Sequence, residues 1–251
     1  MDDATLEQVE QLREWVSACA PGKMVFLGGA GVSTESGIPD FRSANGLYNQ
    51  GGAVSPERII SRSYFDAHPH EFFEFYLAHM LVTDALPNAA HRKLAELEGR
   101  GTLSAVITQN IDGLHQLAGS VNVLELHGSV HRNACMDCGR AVNDAQQLLA
   151  IVSESPDGIP RCSACGGVIK PDVVLYEEPL DSCVLSQAIE AIQAADLMVI
   201  AGTSLAVWPA AGLMDYFHGD HLCIVNLQPT PRDRLADLCI QAKVGEVFSR
   251  L

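Results

Sequence analysis

Five short apolar runs recur along this chain of 251 residues: Lys23 to Leu27, Leu103 to Ile107, Val121 to Leu126, Leu197 to Ala201 and Leu222 to Leu227. Most of them run directly into a polar or glycine-bearing turn. Runs of this length without polar alternation are strands buried on both faces, and covering both faces takes helices. The pattern predicts an α/β fold, a parallel sheet with crossover helices. Leu6, Val9, Leu12, Val16 and Cys19 recur at helical spacing, and Pro21-Gly22 ends that helix. No charged residue occurs between Asp196 and Asp215, a length that could cross a bilayer. Gly202, Thr203, Ser204, Pro209 and Gly212 instead divide it into a buried strand, a polar turn and a following helix.

Two stretches interrupt the strand rhythm. Val54 to Glu98 holds no convincing strand, and its aromatic-rich piece Phe65 to Met80 reads as helix, which makes 54–98 a helical insertion. Cys135 to about Lys170 carries Cys135-x-x-Cys138 and Cys162-x-x-Cys165, with 23 residues between the pairs. That spacing is of the four-cysteine zinc type, slightly long, and Gly139 and Gly166 follow each pair where a knuckle turn needs backbone freedom. Four thiolates close a tetrahedral shell, so the metal is expected to be structural; the competing reading is a pair of disulfides or redox sites. The large domain is expected from 1–53, 99–132 and 171–251, and the small domain from 54–98 with a zinc-ribbon module at 133–170.

With 16 Lys and Arg against 31 Asp and Glu, the net charge is −15. Such an excess argues against binding nucleic-acid phosphates. Met1-Asp2-Asp3 lacks the basic and apolar regions of a secretory signal, so the expected setting is the reducing cytoplasm, without membrane attachment. Cys19, Cys183, Cys223 and Cys239 read as small core hydrophobes.

Strand Lys23 to Leu27 runs into Gly28-Gly29-Ala30-Gly31. A strand ending in Gly-x-Gly and turning into a helix offers backbone N–H groups to a pyrophosphate, although the same turn also serves tight packing alone. The dehydrogenase spacing would place glycine at Thr34 and an acidic residue on a second strand about 20 residues on, and no strand comes so soon. Gly37-Ile38-Pro39-Asp40-Phe41-Arg42-Ser43 sets a carboxylate, an aromatic ring and a guanidinium on one loop, suited to covering a ligand. Thr108-Gln109-Asn110-Ile111-Asp112-Gly113-Leu114-His115 follows a strand, so its amides and carboxylate belong at the carboxyl end of the sheet, where open α/β sheets bind ligands. His127-Gly128 closes another strand; a histidine there is placed as a general base or as a structural cap.

Taken together, Gly29-Ala30-Gly31-x-Ser33, Gly37 to Arg42, Thr108 to His115, His127-Gly128, the four cysteines and Gly202-Thr203-Ser204 resemble the sirtuin family of NAD-dependent protein-lysine deacylases over nearly the whole chain. The resemblance implies a Rossmann-like NAD domain, an inserted small zinc-binding and helical domain, and an acyl-lysine protein or peptide entering the cleft between them. It gives Gly29, Ala30, Gly31, Thr34, Asp40, Phe41 and Arg42 to the cofactor, Gln109, Asn110, Ile111 and Asp112 to its ribose and nicotinamide, and Gly202, Thr203, Ser204, Asn226, Leu227 and Val244 to its adenosine half. It implies that His127 takes a proton from a ribose hydroxyl, that Asn110 orients ribose or water, and that Asp112 holds the nicotinamide amide. The products implied are free lysine, nicotinamide and O-acyl-ADP-ribose. ADP-ribose transfer to another nucleophile and a non-catalytic NAD- or peptide-binding module are the rival readings, and His127 favours deacylation.

Lys170 to Glu178 resembles the family's substrate loop, so Val173, Val174 and Tyr176 with Val207-Trp208-Pro209 are expected to clamp an extended peptide. Tyr176 and Glu177 depart from the family's usual Phe-Gly at that point. Gly28 departs too, where many members carry Thr, and is expected to leave room beside the phosphates. Members that remove acidic acyl groups resemble one another in a Tyr-x-x-Arg. Here Tyr76 is followed by His79, which predicts a preference for uncharged acyl groups.

Overall fold

The computed structural model describes residues 1–41, 46–49 and 54–251. Nine strands follow in chain order: β1 Met24–Gly28, β2 Leu103–Thr108, β3 Val123–Glu125, β4 Gly128–Cys135, β5 Ala141–Val142, β6 Ile169–Val173, β7 Leu197–Ala201, β8 His221–Val225 and β9 Leu238–Ile240. Six of them form one sheet in the order β3-β2-β1-β7-β8-β9, and every pairing in it is parallel. The Rossmann-like α/β expectation is therefore met. The strand order reverses between β1 and β7, and the loops leaving those two strands open the crevice where such sheets bind ligands.

Alternate residues of each strand face opposite layers. Met24, Phe26, Val106 and Val199 pack with Val9 and Leu12 of helix Asp3–Ala18, Leu94 of helix Ala89–Gly99 and Phe248 of helix Val244–Phe248. Val25, Leu27, Ile107 and Ile200 pack on the other side with Ala188 and Ile192 of helix Ser182–Ala194. Helix Ala89–Gly99 thus buries its apolar face on the large sheet, although the sequence reading assigned nearly all of it to the insertion 54–98.

A separate core holds Phe65, Phe72, Phe73 and Tyr76 of the helical insertion with Val130, Leu148, Ile169 and Val173. There β4 pairs antiparallel with β5 and β6, and Cys135 closes β4 with the other three cysteines at the turns beside this three-stranded sheet. The helix expected over Phe65 to Met80 is two helices, Arg62–Ala67 and Pro69–His79. Pro69 cannot donate into the preceding turn, and His68 leaves helical geometry before it. Among the described residues no helix is long and apolar enough to cross a membrane.

Candidate active site

Between the β1 and β7 loops and the small core lies a cavity of about 450 Å³. Its first wall is the loop after β1. The α-helix expected there is instead two 3-10 turns, Ala30–Val32 and Thr34–Ser36, closed by Gly37 in the left-handed region. Val32, Ser33, Thr34 and Ser36 are poor helix formers, and so short a turn adds little helix dipole. Gly31 N–H donates to the Gly202 carbonyl at 2.8 Å and Gly29 N–H to that of Ala201 at 3.1 Å, which ties this loop to the one after β7. A side chain on Gly31 would stand 2.7 Å from the Gly202 Cα. The room expected beside Gly28 is filled: a Cβ there would meet the Phe26 ring at 2.7 Å.

The second wall follows β2. Asn110 is buried, and its Nδ2 donates to Ser33 Oγ at 3.0 Å; that hydroxyl donates to Asp112 Oδ2 at 2.6 Å. Asp112 Oδ1 accepts the Leu114 N–H at 2.9 Å. Ser33, which the sequence reading quoted in a motif without giving it a role, therefore links the glycine loop to both polar residues. Gln109 Nε2 donates to Thr203 Oγ1 at 3.0 Å, and Asn226 Nδ2 to the Thr203 carbonyl at 2.7 Å, which joins the far end of the cavity.

His127 sits at the end of the segment leading from β3 into β4. Gly128 allows this placement: its φ is +75°, and a Cβ there would lie 1.9 Å from the Asp172 carbonyl oxygen on β6. His127 Nδ1 is 3.0 Å from the Gln109 carbonyl oxygen. A carbonyl only accepts, so Nδ1 carries the proton and Nε2 is the basic nitrogen. Burial pulls the His127 pKa below the ordinary histidine value, while the Gln109 bond works against it. The imidazole is neutral at pH 7 and able to accept a proton.

Gly29, Ala30, Gly31, Thr34, Asp40, Phe41, Gln109, Asn110, Ile111, Asp112, His127, Gly202, Thr203, Ser204, Asn226, Leu227 and Val244 all line this one cavity, with Val173, Val174, Tyr176, Val207 and His79. Arg42 lies outside the described residues. Tyr76 does not line it: the residue is fully buried, its ring stacks on Phe72, and its hydroxyl has no hydrogen-bond partner among the described residues. Trp208, expected in the peptide clamp, lines it too, as do Met80 and Tyr48, which carry no signal in the sequence.

The four cysteine sulfurs lie within 4.8 Å of one another, 3.4 Å from Cys135 to Cys165 and 3.7 Å from Cys138 to Cys162. All four are free. Zinc–sulfur bonds of about 2.3 Å in a tetrahedron put the sulfurs about 3.8 Å apart, so the cluster fits a zinc ion. The Ala164 N–H pulls the Cys162 thiol down to about 7, while, against the pull of the Gly167 N–H, the neighbouring sulfurs push Cys165 up to about 12, so the four do not all ionise without a cation between them. None of the four cysteines lines the cavity, which accords with a structural role for the metal.

Residues 29–209 match the model of the Sir2 family. An NAD-dependent protein deacetylase of Clostridium acetobutylicum is 51% identical over 245 residues, covering 97% of each chain. One of Cutibacterium acnes is 52% identical over 242 residues, covering 96% of each. A solved Sir2 with a deacetylated p53 peptide and 3′-O-acetyl ADP-ribose superposes with a TM-score of 0.88 at 37% identity, covering 96% of each chain. Another, with a p53 peptide and NAD+, gives 0.85 at 37% identity and the same coverage. On this fold, this cavity and these matches, the chain belongs to the Sir2 family.

Proposed function

We propose that the protein is an NAD-dependent protein-lysine deacetylase that releases nicotinamide and O-acetyl-ADP-ribose, with a structural zinc held by Cys135, Cys138, Cys162 and Cys165. The observation that carries this reading is the single cavity in which a neutral, oriented His127 faces the Ser33–Asn110–Asp112 network and the crossed glycine loops. NAD supplies an activated glycosyl bond, because nicotinamide leaves as a neutral ring. The glycine loop suits its pyrophosphate: the Gly29 and Gly31 N–H groups hold it against the β7 loop, and the Ala30 N–H between them remains for the phosphate. Thr203, Ser204, Asn226, Leu227 and Val244 hold the adenosine half. Asp112, fixed by Ser33 and Leu114, binds the nicotinamide amide, and Asn110 orients the ribose. Phe41, packed 5.4 Å from the Tyr48 ring, shields the reacting carbon. His127 Nε2 accepts a proton from a ribose hydroxyl, and the Gln109 carbonyl stabilises the imidazolium that results. Arg42 completes the cofactor loop.

The acyl-lysine peptide enters as an added strand between Val173 to Tyr176 and Val207 to Pro209. His79 stands at the acyl end without the fixed charge of an arginine, which favours uncharged acyl groups; buried Tyr76 contributes packing. Large and small domains as expected from the sequence, with helix Ala89–Gly99 joined to the large one, fit the packing of the cores. Free cysteines throughout the described chain accord with a cytoplasmic setting. The test is incubation with an acetyl-lysine peptide with and without NAD, followed by peptide mass. Loss of acetyl only with NAD supports the proposal; loss without NAD, or none with it, overturns it.

A further inference from the structure

The loop after β6 carries two departures from the family pattern, Tyr176 and Glu177, and both are used. Glu177 has a φ of +75°, a backbone conformation that glycine adopts freely and a glutamate does not. A strained residue persists where its surroundings hold it. Here the Glu177 carboxylate accepts the Ser63 N–H at 2.8 Å and the Ser63 hydroxyl at 3.0 Å, at the start of helix Arg62–Ala67. The main chain is stitched to the same place, with Arg62 N–H donating to the Tyr176 carbonyl at 2.9 Å and Tyr176 N–H to that of Ile60 at 3.0 Å. Tyr176 and Tyr48 hydroxyls meet at 2.9 Å, joining this loop to the one that carries Phe41.

Glu178 does a separate task. Its carboxylate accepts the Leu175 N–H at 2.8 Å and lies 3.1 Å from Lys170 Nζ and from Arg62 Nη1, which anchors the root of the loop. Val174 N–H holds the other side through the His127 carbonyl at 3.0 Å. Removing the Glu177 side chain therefore loosens the turn at 177–178 while Tyr176 and the root of the loop stay held.

We propose that Glu177 is a positioning residue for peptide binding: by clasping Ser63 it holds the tip of loop 174–178 in its turn, closed by Glu178 N–H donating to the Leu175 carbonyl at 3.0 Å, and so presents Val173 to Tyr176 to the acyl-lysine peptide. This rests on the deacetylase reading above. A loop already ordered pays less conformational entropy when its ligand arrives, so the clasp lowers the KM for peptide and leaves the chemical step to His127.

The test uses the full chain with saturating NAD and one acetyl-lysine peptide. Glu177→Gly removes the clasp and relieves the backbone strain together, so the variant folds. It is expected to raise the peptide KM roughly fivefold, the loss of charge-assisted bonds at an exposed site, while kcat and the KM for NAD change less than about twofold. Glu177→Gln keeps an acceptor and recovers part of the loss. Ser63→Ala raises the peptide KM about twofold alone and adds nothing to Glu177→Gly, because the two residues act as one contact. Independently of turnover, hydrogen exchange of amides 174–178 without substrate is faster in Glu177→Gly. An unchanged peptide KM, a fall in kcat at constant KM, or unchanged exchange overturns the proposal. So does an effect limited to peptides with cationic flanks in which Gln is as damaging as Gly, since Glu177 would then touch the peptide directly. A wild type inactive with NAD would defeat the deacetylase reading, and the exchange comparison would still judge the clasp.

Discussion

Gly202→Ala perturbs the point where the two halves of the cavity cross. Gly202 has a φ of +60°, and an added Cβ would lie 2.4 Å from the Val32 nitrogen and 2.6 Å from the Gly31 carbonyl carbon. Both are backbone atoms of a loop fixed by its own hydrogen bonds, so no side chain can swing aside. Restoring ordinary contact moves the loops apart by about 1 Å and stretches the 2.8 Å bond from Gly31 to Gly202. Left-handed strain costs about 1 kcal/mol and the overpacking about 1–3 kcal/mol more. Gly37→Ala is the control, because its φ is +87° and nothing lies within 4 Å of its Cβ; it pays the strain alone. Urea unfolding should show Gly202→Ala less stable than Gly37→Ala by about 1–3 kcal/mol, or several degrees in Tm for a chain of this size. Calorimetric titration should show its NAD affinity reduced at least about tenfold, because the separated loops no longer present their N–H groups together. Equal stability losses in the two variants would refute the close-approach argument.

His127→Ala should lower kcat at least about a hundredfold while NAD still binds, measured by steady-state turnover and titration; activity within tenfold of wild type would rule His127 out as the base. The purified protein should hold about one zinc per chain by metal analysis, and Cys162→Ala or a strong chelator should lower the Tm of the small domain. Burial pulls His91 down to about 4 and His115 down to about 3, against an ordinary value near 6.5. Between those values the unfolded chain binds the extra protons, so stability is intact above pH 7 and falls as pH drops below 6.5, by about 2 kcal/mol per histidine at pH 5. His115→Leu should flatten that slope in urea titrations run from pH 7.5 to 5. His79→Arg should raise kcat/KM on succinyl-lysine relative to acetyl-lysine peptides, by supplying the fork a carboxylate pairs with; an unchanged ratio would remove His79 from the acyl site.

The sheet was legible because five of its six strands fall on apolar runs closed by turns, and a parallel sheet buries both faces. β9 was not, since Leu238–Ile240 is a bare three-residue run between Asp237 and Gln241, whereas the equally short β3 sits inside the longer run Val121 to Leu126. The site was legible where each motif sits at a strand's carboxyl end, as Gly29, Gln109 and Gly202 do. Tyr76 shows the limit. Its spacing from Phe72 and Phe73 places all three on one helical face, and only the packed core decides that this face turns away from the cavity. The filling of Gly28 by Phe26 and the clasp of Glu177 on Ser63 were likewise hidden, because each joins residues whose contact depends on the folded chain.

The most direct test of the deacetylase account is product stoichiometry. With acetyl-lysine peptide and NAD, mass spectrometry and chromatography should show nicotinamide, deacetylated peptide and O-acetyl-ADP-ribose forming in equal amounts, and none of the three when either substrate is omitted. Free acetate formed without consumption of NAD, or ADP-ribose attached to protein in place of O-acetyl-ADP-ribose, would contradict it.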